Sequence, residues 1–366
     1  MTPRNEKYCL GFVAAIFVYF LFDYTLYGSI PEPLTTQQLL QIQGVDSLYH
    51  KDMAGDDEWK RNLYDRLDRI RLKCGDLCSM NNQSTIKKFQ KSPDDYHIVV
   101  PNVKCHDILS MDEIDAGDLT FPEYPPDEIL PLYTLNELIP VHRDRVDKQA
   151  YTGAVEPLVW KKSDIEAQIQ EANQGTLKGT YGEPITNYVR DQLKLHHDKL
   201  INSNVLVIGS EFPWVEAILL SLGVSHVTTL EYREIRSEHE KISTETPLSM
   251  REKFLHGKLP HFDGVVSYSS LEHSGLGRYG DALNPWGDIL AVARAWCLTK
   301  TNGFLFLGVP TNHDQDHIVW NLHRVYSKVR WPLLTANWIY TRNDETPWTG
   351  SWVGDKGNFF LKRVLL

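Results

Sequence analysis

From residue 204 to residue 309 the chain alternates between short β-branched runs and stripes of helical spacing, and few folds tolerate that pattern. Asn204-Val205-Leu206-Val207-Ile208-Gly209 reads as a strand ending in glycine. Val215, Ile218, Leu219 and Leu222 then form a helix stripe closed by Gly223. His226 to Glu231 is a second strand, and Phe262 to Val266 another. Ile289, Val292, Ala293, Trp296 and Cys297 give a further helix, and Gly303 to Val309 a further strand. An earlier helix carries Ile185, Val189 and Leu193 behind Pro184, a favoured first-turn residue. Strand–helix–strand repetition predicts an α/β domain over 175–366, a parallel sheet with helices on both faces. Gly357 to Leu361 reads as a final strand, antiparallel beside the 303–309 strand. Ligands of such sheets bind beyond the carboxyl ends of the strands.

Just past one such end the sequence changes character. Ser267-Tyr268-Ser269-Ser270-Leu271-Glu272-His273 follows the 262–266 strand, and a loop rich in glycine from Gly275 to Gly280 comes next. Polar groups there can face a ligand, and the glycines let the loop pass close to it. His273 titrates near neutrality and could take a proton from a hydroxyl, or hold the loop by hydrogen bonding. With Glu272 it forms the catalytic candidate pair. Ser269 or Ser270 could instead cap a helix, with Glu272 as its first-turn carboxylate.

The order of these segments resembles the class I S-adenosylmethionine-dependent methyltransferases. That family carries V-L-[acid]-[IVL]-G-x-G-x-G at its first strand, an acid ending the second, and F-D-x-V-x-x-x-x-x-L-E-H at the fourth. Here FDGVVSYSSLEH stands at the fourth, and LTKTNG followed by FLFLGVP at the fifth, so the resemblance spans about 180–312. LEHSGLGRYGDALNPWGD and WNLHRVYSKVRWPLL are in turn similar to a nematode-rich family of uncharacterised proteins, domain of unknown function 268. The resemblance implies a Rossmann-like, methyltransferase-type sheet and S-adenosylmethionine as cofactor. It places Gly209, Ser210 and Glu211 at the first turn, Glu231 at the ribose hydroxyls, and Ser267 and Ser269 beside the ligand. The chain departs from the pattern where Val207 replaces the acid and Glu211 and Pro213 fill the next two glycine positions. Glu211 could pair with the cofactor's amino group or cap the following helix. A non-catalytic, ligand-binding descendant is the alternative reading.

Residues 1–30 set the expected compartment. Residues 9–30 carry one charge, Asp23, and are long enough to cross a bilayer, which takes ~20 apolar residues. Arg4 and Lys7 precede them and no further Lys or Arg follows until Lys51, so the N-terminus is expected in the cytosol. The expectation is a single-pass type II protein of the endoplasmic reticulum or Golgi, lumenal beyond the lipid-embedded anchor; a cleaved signal peptide is the alternative. Residues 31–150 read as a stem. Trp59, Leu63, Leu67 and Ile70 form the stripe of an amphipathic helix, and the prolines from Pro122 to Pro140 mark a tether. Cys74, Cys78 and Cys105 suit one stem disulfide, and Asn82-Gln83-Ser84 is a glycosylation sequon.

A net charge of −10 argues against nucleic acid as a partner. A small molecule or glycan is the expected substrate. The rival enzyme class is a Golgi glycosyltransferase, in which Asp314 and Asp316 would hold a divalent cation and a sugar nucleotide; a solvated loop is the plainer reading. His313 and His317 could bind a transition metal if helical. Asn321 to Tyr326 reads as the start of a helix, and Trp331, Trp338 and Trp348 as core residues or sugar-stacking platforms.

Overall fold

The strand at Asn204–Ile208 (β1) sits in the middle of a seven-stranded sheet, because both of its faces are apolar and both of its edges are paired. On one side it pairs in parallel with His226–Leu230 (β2), which pairs in parallel with Ile242–Glu245 (β3). On the other it pairs in parallel with Phe262–Tyr268 (β4), which pairs with Thr299–Gly308 (β5). Two strands follow in the chain, Trp338–Tyr340 (β6) and Asn358–Lys362 (β7), and β7 is antiparallel to both β5 and β6. The order across the sheet is β6-β7-β5-β4-β1-β2-β3. This is the mixed α/β architecture expected, including the antiparallel last strand. The computed structural model describes residues 58–79, 98–112, 122–142, 156–312, 314–341 and 357–363. The 9–30 segment and the sequon at Asn82 lie outside them. Among the described residues no helix is long and apolar enough to cross a membrane.

The period of two along each strand sends successive side chains to opposite layers. Val205, Val207 and Val266 pack with Lys162–Gln174 (α2), Glu183–Lys194 (α3) and Trp214–Ser221 (α4), through Ile165, Val189 and Ile218. Leu206, Val265 and Leu305 pack on the other face with Pro247–Leu255 (α5) and Gly287–Leu298 (α6), through Met250, Val292 and Leu298. Each of these buried side chains contributes roughly 1.5–3 kcal/mol by leaving water. Helices therefore cover both faces, and the carboxyl ends of β1, β2 and β4 share one edge.

The described parts of the stem pack against α6 and the loop before it, in a cluster of their own. An amphipathic helix (α1) runs over Glu58–Cys74, as its stripe predicts. Leu63, Leu67 and Ile70 pack with Leu283, Trp286, Leu290 and Ala293. Two disulfides form where one was expected. Cys74 pairs with Cys78, and Cys105 pairs with Cys297, tying the short helix Cys105–Leu109 to α6 across 192 residues of sequence. Arg294 reinforces that seam by donating to Ile108 O at 2.8 Å and Met111 O at 3.3 Å.

The region after β5 departs from expectation. Residues 321–326 do not start a helix: His317–Val319 and His323–Val325 form an antiparallel hairpin, turned at Asn321 with φ +61°. Asn tolerates the left-handed backbone that such a turn demands. Behind it Asp288 is wholly buried between Arg324 and Arg330, and Tyr326 donates to it at 3.0 Å. Burial alone would raise that carboxyl, but the two guanidinium groups outweigh it and hold it at about 2.

Candidate functional site

A cavity of about 260 Å³ opens at the carboxyl ends of β1, β2 and β4. Gly209, Ser210, Glu211, Glu231, Ser269 and His273 all line it. Six of the eight candidate site residues, spread over 65 positions from Gly209 to His273, therefore meet in one place. Ser267 and Glu272 do not reach the lining. Ser267 is fully buried and donates to Ile208 O at 3.1 Å, so it joins β4 to β1. Glu272 lies just behind the wall, 1% exposed.

The first turn is built around Gly209, which has φ +75° and whose N–H donates to Leu230 O at 3.0 Å. A Cβ at that position would collide with the Ser270 hydroxyl, so the β1 and β4 turns touch only because the residue is glycine. Val207 lies in the apolar layer with α2–α4 and leaves no carboxylate where the methyltransferase pattern has one. Glu216, on α4, approaches the same turn from beneath: it is fully buried, accepts from Thr229 Oγ1 at 2.7 Å, and lies 2.9 Å from Ser210 Oγ. Burial raises its pKa to about 7. The sequence showed it only as a polar residue inside the apolar helix stripe, and it was missed.

Glu231 directly follows β2 at the cavity wall, where solvent reaches it, and its Oε1 accepts the Tyr232 N–H at 2.7 Å. The protein packed around it raises its pKa to about 7, and Glu211 adds to the rise. Glu211 itself faces Arg233 at 3.3 Å. Arg233 also donates to Glu156 O at 2.9 Å, and Trp160 Nε1 donates to Glu211 O at 3.1 Å. The segment before α2 is thus fastened across the altered turn.

The 267–273 stretch forms a strand end and a short 3-10 turn over Leu271–His273. Ser269 adopts φ +51°, unusual outside glycine, and donates to Glu272 Oε1 at 2.9 Å. Burial lifts the Glu272 carboxyl to about 7. His273 Nδ1 faces the Leu322 carbonyl, an acceptor, which fixes the ring proton on Nδ1. Nε2 is then the basic nitrogen, 3.5 Å from Glu272 Oε1. The glycine loop is held by Asp281, whose carboxylate accepts from Gly275 N at 2.6 Å and Tyr279 N at 3.2 Å.

The residues marked for the rival chemistry are used differently. Asp316 is 1% exposed and accepts from the backbone N–H groups of Ser327, Val329 and Arg330 at 2.7–3.0 Å. Its oxygens cap a turn, so Asp314 and Asp316 do not form an open cation site. His317 lies on a strand with its ring 5.1 Å from that of His142, and His313 is outside the described residues. Trp331 and Trp338 are buried in the layer below the sheet, and Trp348 lies outside the described residues. Among the described residues, Glu166, His239 and Glu240 bring ligand atoms within 4.8 Å of one another. Lys162 binds Glu240 at 2.9 Å and Lys241 N–H donates to the buried His239 Nδ1 at 3.2 Å, so Glu240 and His239 already have partners within the protein.

Residues 202–350 match the family described as Caenorhabditis protein of unknown function, DUF268. The matched span runs from β1 through the glycine loop and the hairpin, and so contains every candidate site residue. No curated protein matches the chain. Among solved structures, the N-methyltransferase NodS from Bradyrhizobium japonicum WM9 aligns at 11% identity and a TM-score of 0.27, covering 48% of this chain and 97% of that one. A candidate hemolysin from Lactococcus lactis aligns at 14% identity and a TM-score of 0.25, covering 32% of this chain and 53% of that one. The chain thus spans about half the length of the hemolysin.

Proposed function

We propose that this chain binds S-adenosylmethionine in the strand-end cavity and transfers its methyl group to a hydroxyl of a small molecule. The observation that carries the reading is the convergence of the Gly209 turn, the Glu231 carboxylate and the His273 imidazole on one cavity at the carboxyl edge of a doubly wound sheet. The donor set fits that cofactor. Glu231 offers acceptor oxygens for vicinal hydroxyls from just beyond the tip of β2, and Tyr232 beside it, 41% exposed, also lines the cavity. Glu211, paired with Arg233, and Asp281 line the same cavity, together with Arg251 and Arg294.

The bound cofactor supplies an electrophilic methyl group on a sulfonium. The protein's own part is positioning and proton removal. His273 Nε2 takes the proton of the acceptor hydroxyl, because Nδ1 is committed to Leu322 O. Glu272 at 3.5 Å stabilises the imidazolium that results. The 269–275 backbone that carries both groups is pinned by Arg324, which donates to Ser274 O at 2.6 Å and Glu272 O at 3.4 Å.

The test is methyl transfer and cofactor affinity in Glu231→Gln. Loss of the charged acceptor should weaken S-adenosylmethionine binding roughly tenfold to hundredfold, the range for a hydrogen bond to a charged group. Unchanged affinity would remove Glu231 from the site. We also propose a lumenal location for the domain, supported by the two disulfides, which persist in oxidising compartments. The lipid anchor at 9–30 belongs to that proposal.

A further inference from the structure

The cavity does not end at the strand tips. It continues between α5 and α6 beneath the sheet. On α6 the lining residues are Gly287, Leu290, Ala291, Arg294, Ala295 and Leu298, one face of the helix from its first turn to its last and apolar but for Arg294. That face is about 16 Å long at 1.5 Å per residue. On α5 the lining residues Pro247, Met250, Arg251 and Phe254 again recur at helical spacing. Leu109 and Met111 close the roof, held there by the Cys105–Cys297 disulfide and by Arg294. Leu206, Leu290 and Leu298 border the arm and are only 0%, 1% and 4% exposed. Apolar walls of this kind favour an apolar guest.

A neutral amide joins the lining at the His273 end. Asn284 is 2% exposed and borders the cavity. Its Oδ1 accepts the Trp286 N–H at 3.0 Å, which fixes the orientation of the amide. Nδ2 is then a buried donor for which the described residues supply no acceptor. Such a group costs stability unless a partner arrives. Gly275, whose Cβ would strike the Asn284 carbonyl, keeps the loop closed over this point with φ +78°. Acidic groups (Glu211, Glu231, Asp281) and basic ones (Arg233, Arg251, Arg294) line the cavity in equal number, so its charge selects neither an anionic nor a cationic head group.

We propose that the arm between α5 and α6 binds a long-chain, uncharged amphiphile, with an oxygen of its head group accepting from Asn284 Nδ2 and its chain lying along α6. This assigns the methyl acceptor of the reading above to a lipid-like class, and it rests on that reading for the acceptor's role. The binding step itself requires no methyl donor. The chain enters from the His273 end, so the head group stays beside the imidazole and the tail fills the arm.

The experiment is calorimetric titration of the full-length protein, without S-adenosylmethionine, with 2-decanone, a probe whose oxygen accepts but cannot donate. Saturable binding at one site is expected. Asn284→Asp keeps the acceptor for Trp286 N–H and removes the donor, so it should weaken 2-decanone binding roughly tenfold. Ala291→Trp fills the arm and should abolish binding while circular dichroism remains unchanged. If Asn284→Asp does not fold, Ala291→Trp decides. No saturable binding of 2-decanone, or equal binding to wild type and Ala291→Trp, overturns the proposal. Binding of 2-decanone without binding of S-adenosylmethionine would leave this site standing and sink the methyl-transfer reading. The converse result would do the reverse.

Discussion

Glu216 is the buried carboxylate whose ionisation the structure constrains most tightly. Ser210 Oγ lies 2.9 Å from Glu216 Oε2 and 2.9 Å from Phe212 O, but a hydroxyl has one proton to give. Both contacts are satisfied only when Glu216 is protonated and donates to Ser210, which donates onward to Phe212 O. Thr229 then completes the set by donating to Oε1 at 2.7 Å. A glutamine reproduces that pattern, with its amide donating to Ser210. Burial raises the Glu216 pKa from 4.5 to about 7. Between those values the native state holds a proton that the unfolded chain has released, so stability falls as pH rises through the window and levels off above it. A shift of that size corresponds to about 3 kcal/mol at ~1.4 kcal/mol per pH unit. Glu216→Gln should therefore match wild type near pH 5 and exceed it by about 3 kcal/mol at pH 8. Urea unfolding of the oxidised proteins at pH 5, 6, 7 and 8 measures the difference. A difference that stays flat across that range would refute the protonated network.

Three further outcomes follow from named contacts. Cys297→Ser opens a loop closed across 192 residues, and loop-closure entropy puts the loss at about 5 kcal/mol, read from urea midpoints with the Cys74–Cys78 pair intact. Asp316→Ala strips the acceptor from three backbone N–H groups and should cost at least about 3 kcal/mol, while Mn²⁺ leaves the wild-type Tm unchanged; a Mn²⁺-dependent rise would revive the sugar-nucleotide reading. Gly209→Ala combines a left-handed φ with a collision against Ser270 and should lose about 2–4 kcal/mol together with cofactor affinity, checked by thermal unfolding and titration.

The parts of the fold that were legible were those with a clean period. β1, β2, β4, β5 and the stripes of α3, α4 and α6 follow from alternation, because both faces of the sheet are covered and the strands read as apolar runs. Ile242–Glu245 and Trp338–Tyr340 were not legible, being short, near the sheet edges and mixed in polarity. The hairpin at 317–325 read as a helix because His323, Arg324 and Val325 carry no alternation; all three are buried. The strand-end motif FDGVVSYSSLEH located the site, and six of its eight candidates line one cavity. Ser267 was misplaced because strand residues alternate faces and this one turns into the sheet. Asn284 left no signal and Glu216 only a polar position within an apolar helix, since a buried polar residue is recognised by what surrounds it. The Cys105–Cys297 pair was equally hidden, as pairing across that separation depends on the fold already being formed.

The central claim is that this cavity holds S-adenosylmethionine despite Val207, Glu211 and Pro213 at the first turn. Calorimetric titration of the full-length protein with S-adenosylmethionine tests it most directly. The account predicts one saturable site of micromolar affinity that weakens as pH falls below about 7, where the Glu231 carboxylate takes up its proton. Folded protein that gives no heat of binding at millimolar cofactor would contradict it.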